Sequence, residues 1–125
     1  MKPAVLLVDH GSRRAEANRV LEELAARLQE RLPDRIVHFA HMELAEPTIA
    51  QAISACLAEG ATEIVLHPYF LTPGNHSAVD IPRLARSALS GHPNVTLRMT
   101  PPLGVHEGIV EVVLERVREA ETPRP

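Results

Sequence analysis

The stretch Thr62–Pro82, "TEIVLHPYFLTPGNHSAVDIP", decides the fold. Its first eight residues, Thr62–Tyr69, form a short apolar run too brief for a helix and predict a buried strand. Pro73-Gly74 turns the chain. Asp80-Ile81-Pro82 predicts the start of a helix with Leu84, Ala85, Ala88 and Leu89 facing inward, ended by Gly91-His92-Pro93-Asn94.

The same order recurs on both sides. "PAVLLVD" (Pro3–Asp9) predicts a first strand. Ser12 then caps a helix with Glu16 in its first turn, striped by Ala17, Val20, Leu21, Leu24, Leu28 and Leu32. Pro33-Asp34 stops it. Arg35–Met42 is the second strand. Pro47 fits the first position of a helix striped by Ile49, Ile53, Cys56 and Leu57, with Gly60 as its stop. Val95–Met99 is the fourth strand, and Ile109, Val110, Val113, Leu114 and Val117 stripe the last helix. Strands alternating with helices imply a parallel sheet covered on both faces. Right-handed crossovers favour a doubly wound, flavodoxin-like α/β sheet with strand order 2-1-3-4. One domain over residues 1–121 is expected, with residues 122–125 a short tail.

Composition narrows the function classes. Of 125 residues, 45% are hydrophobic and 23% charged, a globular balance. No apolar run approaches the ~20 residues of a membrane span. "MKPAVLLVDHGS" lacks the apolar length and cleavage pattern of a signal peptide, so a cytoplasmic protein is expected. A single cysteine, Cys56, excludes an intrachain disulfide and a cysteine zinc site, and it reads as a core residue. The net charge of −3, with Lys2 the only lysine, argues against a nucleic-acid surface. The predominance of arginine suits bidentate contact with carboxylates.

Ligands of such sheets bind beyond the carboxyl ends of the strands, at the switch point between the first and third. Asp9-His10-Gly11-Ser12 follows the first strand, Glu43 the second, Asn75-His76 the third and Gly104-Val105-His106 the fourth. Imidazole and carboxylate together suit first-row divalent metals. Chain order alone brings none of these groups within bonding distance of another. His38 and His41, three apart in one strand, point to opposite faces and cannot share an ion. "HGSRRAEA" has one glycine, not the three of a dinucleotide fingerprint. The paired acids of a phosphoacceptor domain are missing after the first strand.

Four motifs carry a resemblance: "LLVDHGSR", "HMELAEPTIAQAI", "PYFLTPGNHSAVDIP" and "PPLGVH". From about Ala4 to Val117 the chain is similar to the class II tetrapyrrole chelatases, specifically the small, single-lobe CbiX-type sirohydrochlorin chelatases. The third motif is the most specific. The resemblance implies insertion of a divalent metal, cobalt foremost, with iron or nickel as the other possibilities, into sirohydrochlorin in cobalamin, sirohaem or related tetrapyrrole synthesis. The metal is then a substrate, and no tightly bound cofactor is expected. Longer relatives pair two lobes about a cleft, so a one-lobe chain implies a homodimer. By motif, His10 and His76 face the metal and Glu43 is the acidic partner. His106 has at most a rim role.

For the macrocycle, Tyr69, Phe70 and Leu71 would pack near an apolar disc, and Ser12, Arg13, Arg14 and Arg83 would meet its carboxylates. Arg13 and Arg14, expected in a helix's first turn, oppose the helix dipole there, which favours a functional reading. Two other readings share these residues: a non-enzymatic metal carrier on the His10/His76/Glu43 set, and a flavodoxin-like binder of flavin or phosphate.

Overall fold

The computed structural model describes residues 2–74 and 77–123. Four parallel strands, β1 (Pro3–Asp9), β2 (Ile36–His41), β3 (Glu63–Pro68) and β4 (Thr96–Met99), alternate with four helices, α1 (Ala15–Arg31), α2 (Ile49–Ala58), α3 (Ser77–Ala88) and α4 (Glu107–Glu121). The sheet order is β2-β1-β3-β4, as expected. Central β1 is buried almost throughout, which is why "AVLLV" carries no polar alternation.

The two faces of the sheet differ. One holds the main core: Leu6, Val8, Ile64 and Leu66 pack against Ile53 and Cys56 of α2 and Ile81 and Ala85 of α3. Burial pushes the Cys56 thiol up to about 11, with Glu59 nearby adding to the effect, so it stays an unreactive thiol at neutral pH. The other face is thinner. Val5 and Leu7 meet only Leu21 and Ala25 of α1 as buried partners, with Leu28, Leu32 and Tyr69 packed at the edge.

Several element boundaries depart from the sequence reading. Ser12 does not cap α1: Arg14 takes the N-cap position, and Ser12 Oγ accepts from the Arg14 amide at 3.0 Å in a turn before the helix. The dipole argument for Arg13 and Arg14 therefore fails, since both precede the first turn. Arg14 instead bonds Glu16 at 2.8 Å. Ala17 and Val20 are exposed, and the true α1 stripe runs through Leu21, Ala25 and Leu28. Pro47 is not helical. It follows a cis peptide bond, and Thr48 caps α2 through a reciprocal box with Gln51. The helix α3 starts at Ser77, ahead of the expected Asp80, so Pro82 lies inside it. The largest departure is α4, whose apolar stripe is expected to be buried and which has no buried residue.

On the thinner face His67 of β3 donates from Nδ1 to Thr100 Oγ1 at 2.7 Å, while that hydroxyl donates to the Pro101 carbonyl at 2.9 Å. Burial lowers the His67 pKa below its ordinary 6.5, with the Pro101 carbonyl acting the other way. The unfolded chain then binds the extra proton first. Stability contributed by neutral His67 is complete above about pH 6.5 and falls as the pH drops below it. Thermal midpoints should decline between about pH 7.5 and about pH 5.5, and His67→Gln should flatten that decline. Parallel slopes for both proteins would contradict this.

Candidate functional site

The site begins where β1 and β2 end. Their parallel pairing runs past the strands: the Met42 amide donates to the Asp9 carbonyl at 2.8 Å and the Glu43 amide to the His10 carbonyl at 3.0 Å. These two bonds set His10 and Glu43 side by side. Gly11 makes the approach possible. Its φ is +94°, and a Cβ there would lie 1.9 Å from the Glu43 carbonyl oxygen. Leu44 then reverses the chain at a φ of 72°.

At this edge His10 Nε2 lies 3.1 Å from Glu43 Oε1, and the two side chains are 53% and 55% exposed. His10 Nδ1 is 3.4 Å from the Gly11 carbonyl. Nε2 faces the carboxylate, so the pair is joined either by a hydrogen on Nε2 or by a cation between the two ligand atoms. Nitrogen and oxygen ligands bind a first-row dication at about 2.0–2.2 Å, so two adjacent ligands lie about 3.0–3.4 Å apart. The observed 3.1 Å spacing falls within that range.

Behind this pair is one that sequence reasoning missed. His41, 1% exposed, places Nδ1 at 2.5 Å from Asp9 Oδ1. The His41 amide donates to the Pro47 carbonyl at 2.9 Å, which fixes the loop bearing Glu43. The register signals the pair, because Asp9 and His41 are direct partners at the last rung of β1 and β2. His38 does face the opposite way, meeting Glu59 at the end of α2 at 2.5 Å.

The other expected residues are placed unequally. His76, the proposed second metal-facing histidine, lies outside the described residues. Among the described residues no three metal-ligating side chains gather. Ser12 is held by Asn18, which accepts from its amide at 2.9 Å and donates to its carbonyl at 2.8 Å. Arg13 is exposed, and Arg83 pairs with Asp80 at 3.3 Å. Tyr69 and Phe70 diverge: Tyr69 packs on the α1 face, edge-on to His67, and Phe70 on the main core. Phe70 also borders an apolar hollow of about 210 Å³ with Pro73, Ser77, Ile81, Met99 and Pro102. Leu71 is 62% exposed. His106 caps α4, its Nδ1 accepting from the Gly108 amide at 2.8 Å.

A doubly wound 2-1-3-4 sheet with an open imidazole–carboxylate pair beyond the carboxyl ends of β1 and β2 defines an α/β protein of chelatase-like architecture. The chain belongs to the CbiX family, whose model matches residues 4–120. It is 43% identical over 114 residues to the chloroplastic sirohydrochlorin ferrochelatase of Arabidopsis thaliana, covering 91% of this chain and 51% of that one. A sirohydrochlorin cobaltochelatase of Methanococcus maripaludis is 30% identical, with 90% of this chain and 96% of that one covered. SirB from Bacillus subtilis, solved with Fe³⁺, superposes with a TM-score of 0.88 at 31% identity, over 98% of this chain and 49% of SirB. The chain thus spans about half the length of its plant and Bacillus relatives.

Proposed function

We propose that this chain inserts a divalent metal, cobalt foremost and iron or nickel otherwise, into sirohydrochlorin. The observation that carries the reading is the 3.1 Å His10–Glu43 pair, which has the spacing of two ligands on one dication and stands open to solvent. Relatives named as ferrochelatases and as cobaltochelatases support the same chemistry with different metals.

Insertion exchanges two pyrrole protons for a dication, so the metal must be held loosely and the protons must be accepted. His10 and Glu43 meet the first need as a partial, exposed ligand set that leaves coordination positions for the macrocycle. His76, which the sequence puts after β3 and so across the switch point from His10, adds a third ligand. As the metal passes to the ring, neutral imidazole and carboxylate are freed as proton acceptors. The Asp9–His41 pair, in which His41 is buried, holds the loops under them. Exposed Arg13, Arg14 and Leu71 follow the ends of β1 and β3, the edge a carboxylate-rimmed disc would meet, with Ser12, Tyr69 and Phe70 as further candidate contacts. A second copy of the chain supplies the facing wall of the cleft.

The test is the absorption spectrum of sirohydrochlorin mixed with Co²⁺ and substoichiometric protein. The reading predicts conversion of many equivalents of macrocycle per protein, well above the protein-free rate. Conversion that stops at one equivalent points to a carrier, and conversion at the protein-free rate removes the reading.

A further inference from the structure

Leu44 is held where a leucine is disfavoured. Its φ is 72°, and among the described residues it is the one non-glycine with a positive φ. In that region the leucine Cβ crowds its own backbone, where glycine stands freely. Packing does not offset the strain. Leu44 is 52% exposed, and it is neither in a buried cluster of the sheet nor among the residues packed against one. A strained turn that carries a large, open apolar side chain points to a use for that side chain.

The turn is built rather than loose. The His41 amide closes it on the Pro47 carbonyl at 2.9 Å, and Leu44 lies midway between those two residues. The Met42 and Glu43 amides tie its first half to the end of β1. Leu44 is also one of a set. Among the described residues, the exposed large hydrophobics outside the helices are Leu44, Leu71 and Val105. Each lies in a loop that leaves the carboxyl end of a strand. In the order β2-β1-β3-β4, Leu44 follows β2 and Leu71 follows β3, on either side of the strand that leads to His10.

A metal passes to four ring nitrogens along the normal of the ring, so the ring must lie flat over His10 and Glu43. Such a ring presents an apolar face. The apolar side chain adjoining Glu43 in the chain is that of Leu44.

We infer that Leu44 bears on the apolar face of the tetrapyrrole and seats the ring over the His10–Glu43 pair. The left-handed turn holds the side chain out of the core and available to the ring. This contact rests on the proposed function for its ligand and is measured without turnover.

Metal-free sirohydrochlorin is titrated into wild type, Leu44→Gly and Leu44→Met and followed by its absorption. Co²⁺ affinity and melting temperature are measured on the same proteins. Leu44→Gly relieves the turn and removes the side chain, so it should melt at or above the wild type and keep its Co²⁺ affinity. It should bind the macrocycle about tenfold or more weakly, the scale set by burying the exposed half of a leucine. Leu44→Met keeps an apolar chain of similar volume and should bind within about threefold of the wild type. Equal macrocycle affinity in Leu44→Gly overturns the inference. So does a Leu44→Gly that melts several degrees lower, since the side chain would then serve the fold. A wild type that binds the macrocycle without inserting cobalt overturns the proposed function, while the same difference between variants still supports the contact. A wild type that does not bind the macrocycle overturns both.

Discussion

Gly11→Ala is expected to melt about 10 °C below the wild type, a loss of about 2–4 kcal/mol, with metal insertion lost as well. Alanine at a φ of +94° is strained before any neighbour is considered. Its methyl would then stand 1.9 Å from the Glu43 carbonyl oxygen. That carbonyl cannot retreat freely, because the Glu43 amide is bonded to the His10 carbonyl and the Met42 amide to the Asp9 carbonyl. Relief must come from breaking those bonds, which would also separate His10 from Glu43. Differential scanning calorimetry decides the matter. A variant melting within a degree or two of the wild type would show that the two loops are not held rigidly together.

His10→Ala should do the reverse, sparing the fold and removing the chemistry. The His10–Glu43 pair is more than half exposed, so its loss should change stability by less than about 1 kcal/mol. Metal insertion should fall at least about 100-fold in kcat/KM, equivalent to about 2.7 kcal/mol of transition-state stabilisation. Glu43→Gln keeps an oxygen ligand but loses the charge, and should fall less than Glu43→Ala. Rates for His10→Ala within a factor of about two of the wild type would remove His10 from the mechanism.

These two variants mark what the sequence could and could not reveal. The sheet order was legible because the four strands are short apolar runs and each crossover is a helix, which leaves few arrangements. The edge bearing His10 and Glu43 followed from that order alone. Their contact did not, because it depends on two backbone bonds past the strand ends and on the left-handed turn at Gly11. The Asp9–His41 pair was hidden for a related reason, since only the register makes those residues neighbours. Pro82 and Pro47 misled as local signals: α3 runs through one, and α2 is capped by Thr48, one residue after the other. Ser12 looked like a cap, but its amide and carbonyl are taken by Asn18. The stripe of α4 was read correctly as a pattern. Its burial was not, because a pattern shows that a helix face is apolar and not where the fold carries that face.

In the proposed function the incoming metal sits between His10 and Glu43. X-ray absorption at the cobalt edge, on Co²⁺-loaded wild type and His10→Ala, tests this directly. The predicted result is a nitrogen and oxygen shell at about 2.0–2.2 Å with imidazole scattering, losing one imidazole and most of its affinity in the variant. Equal affinity and an unchanged spectrum in His10→Ala would contradict it.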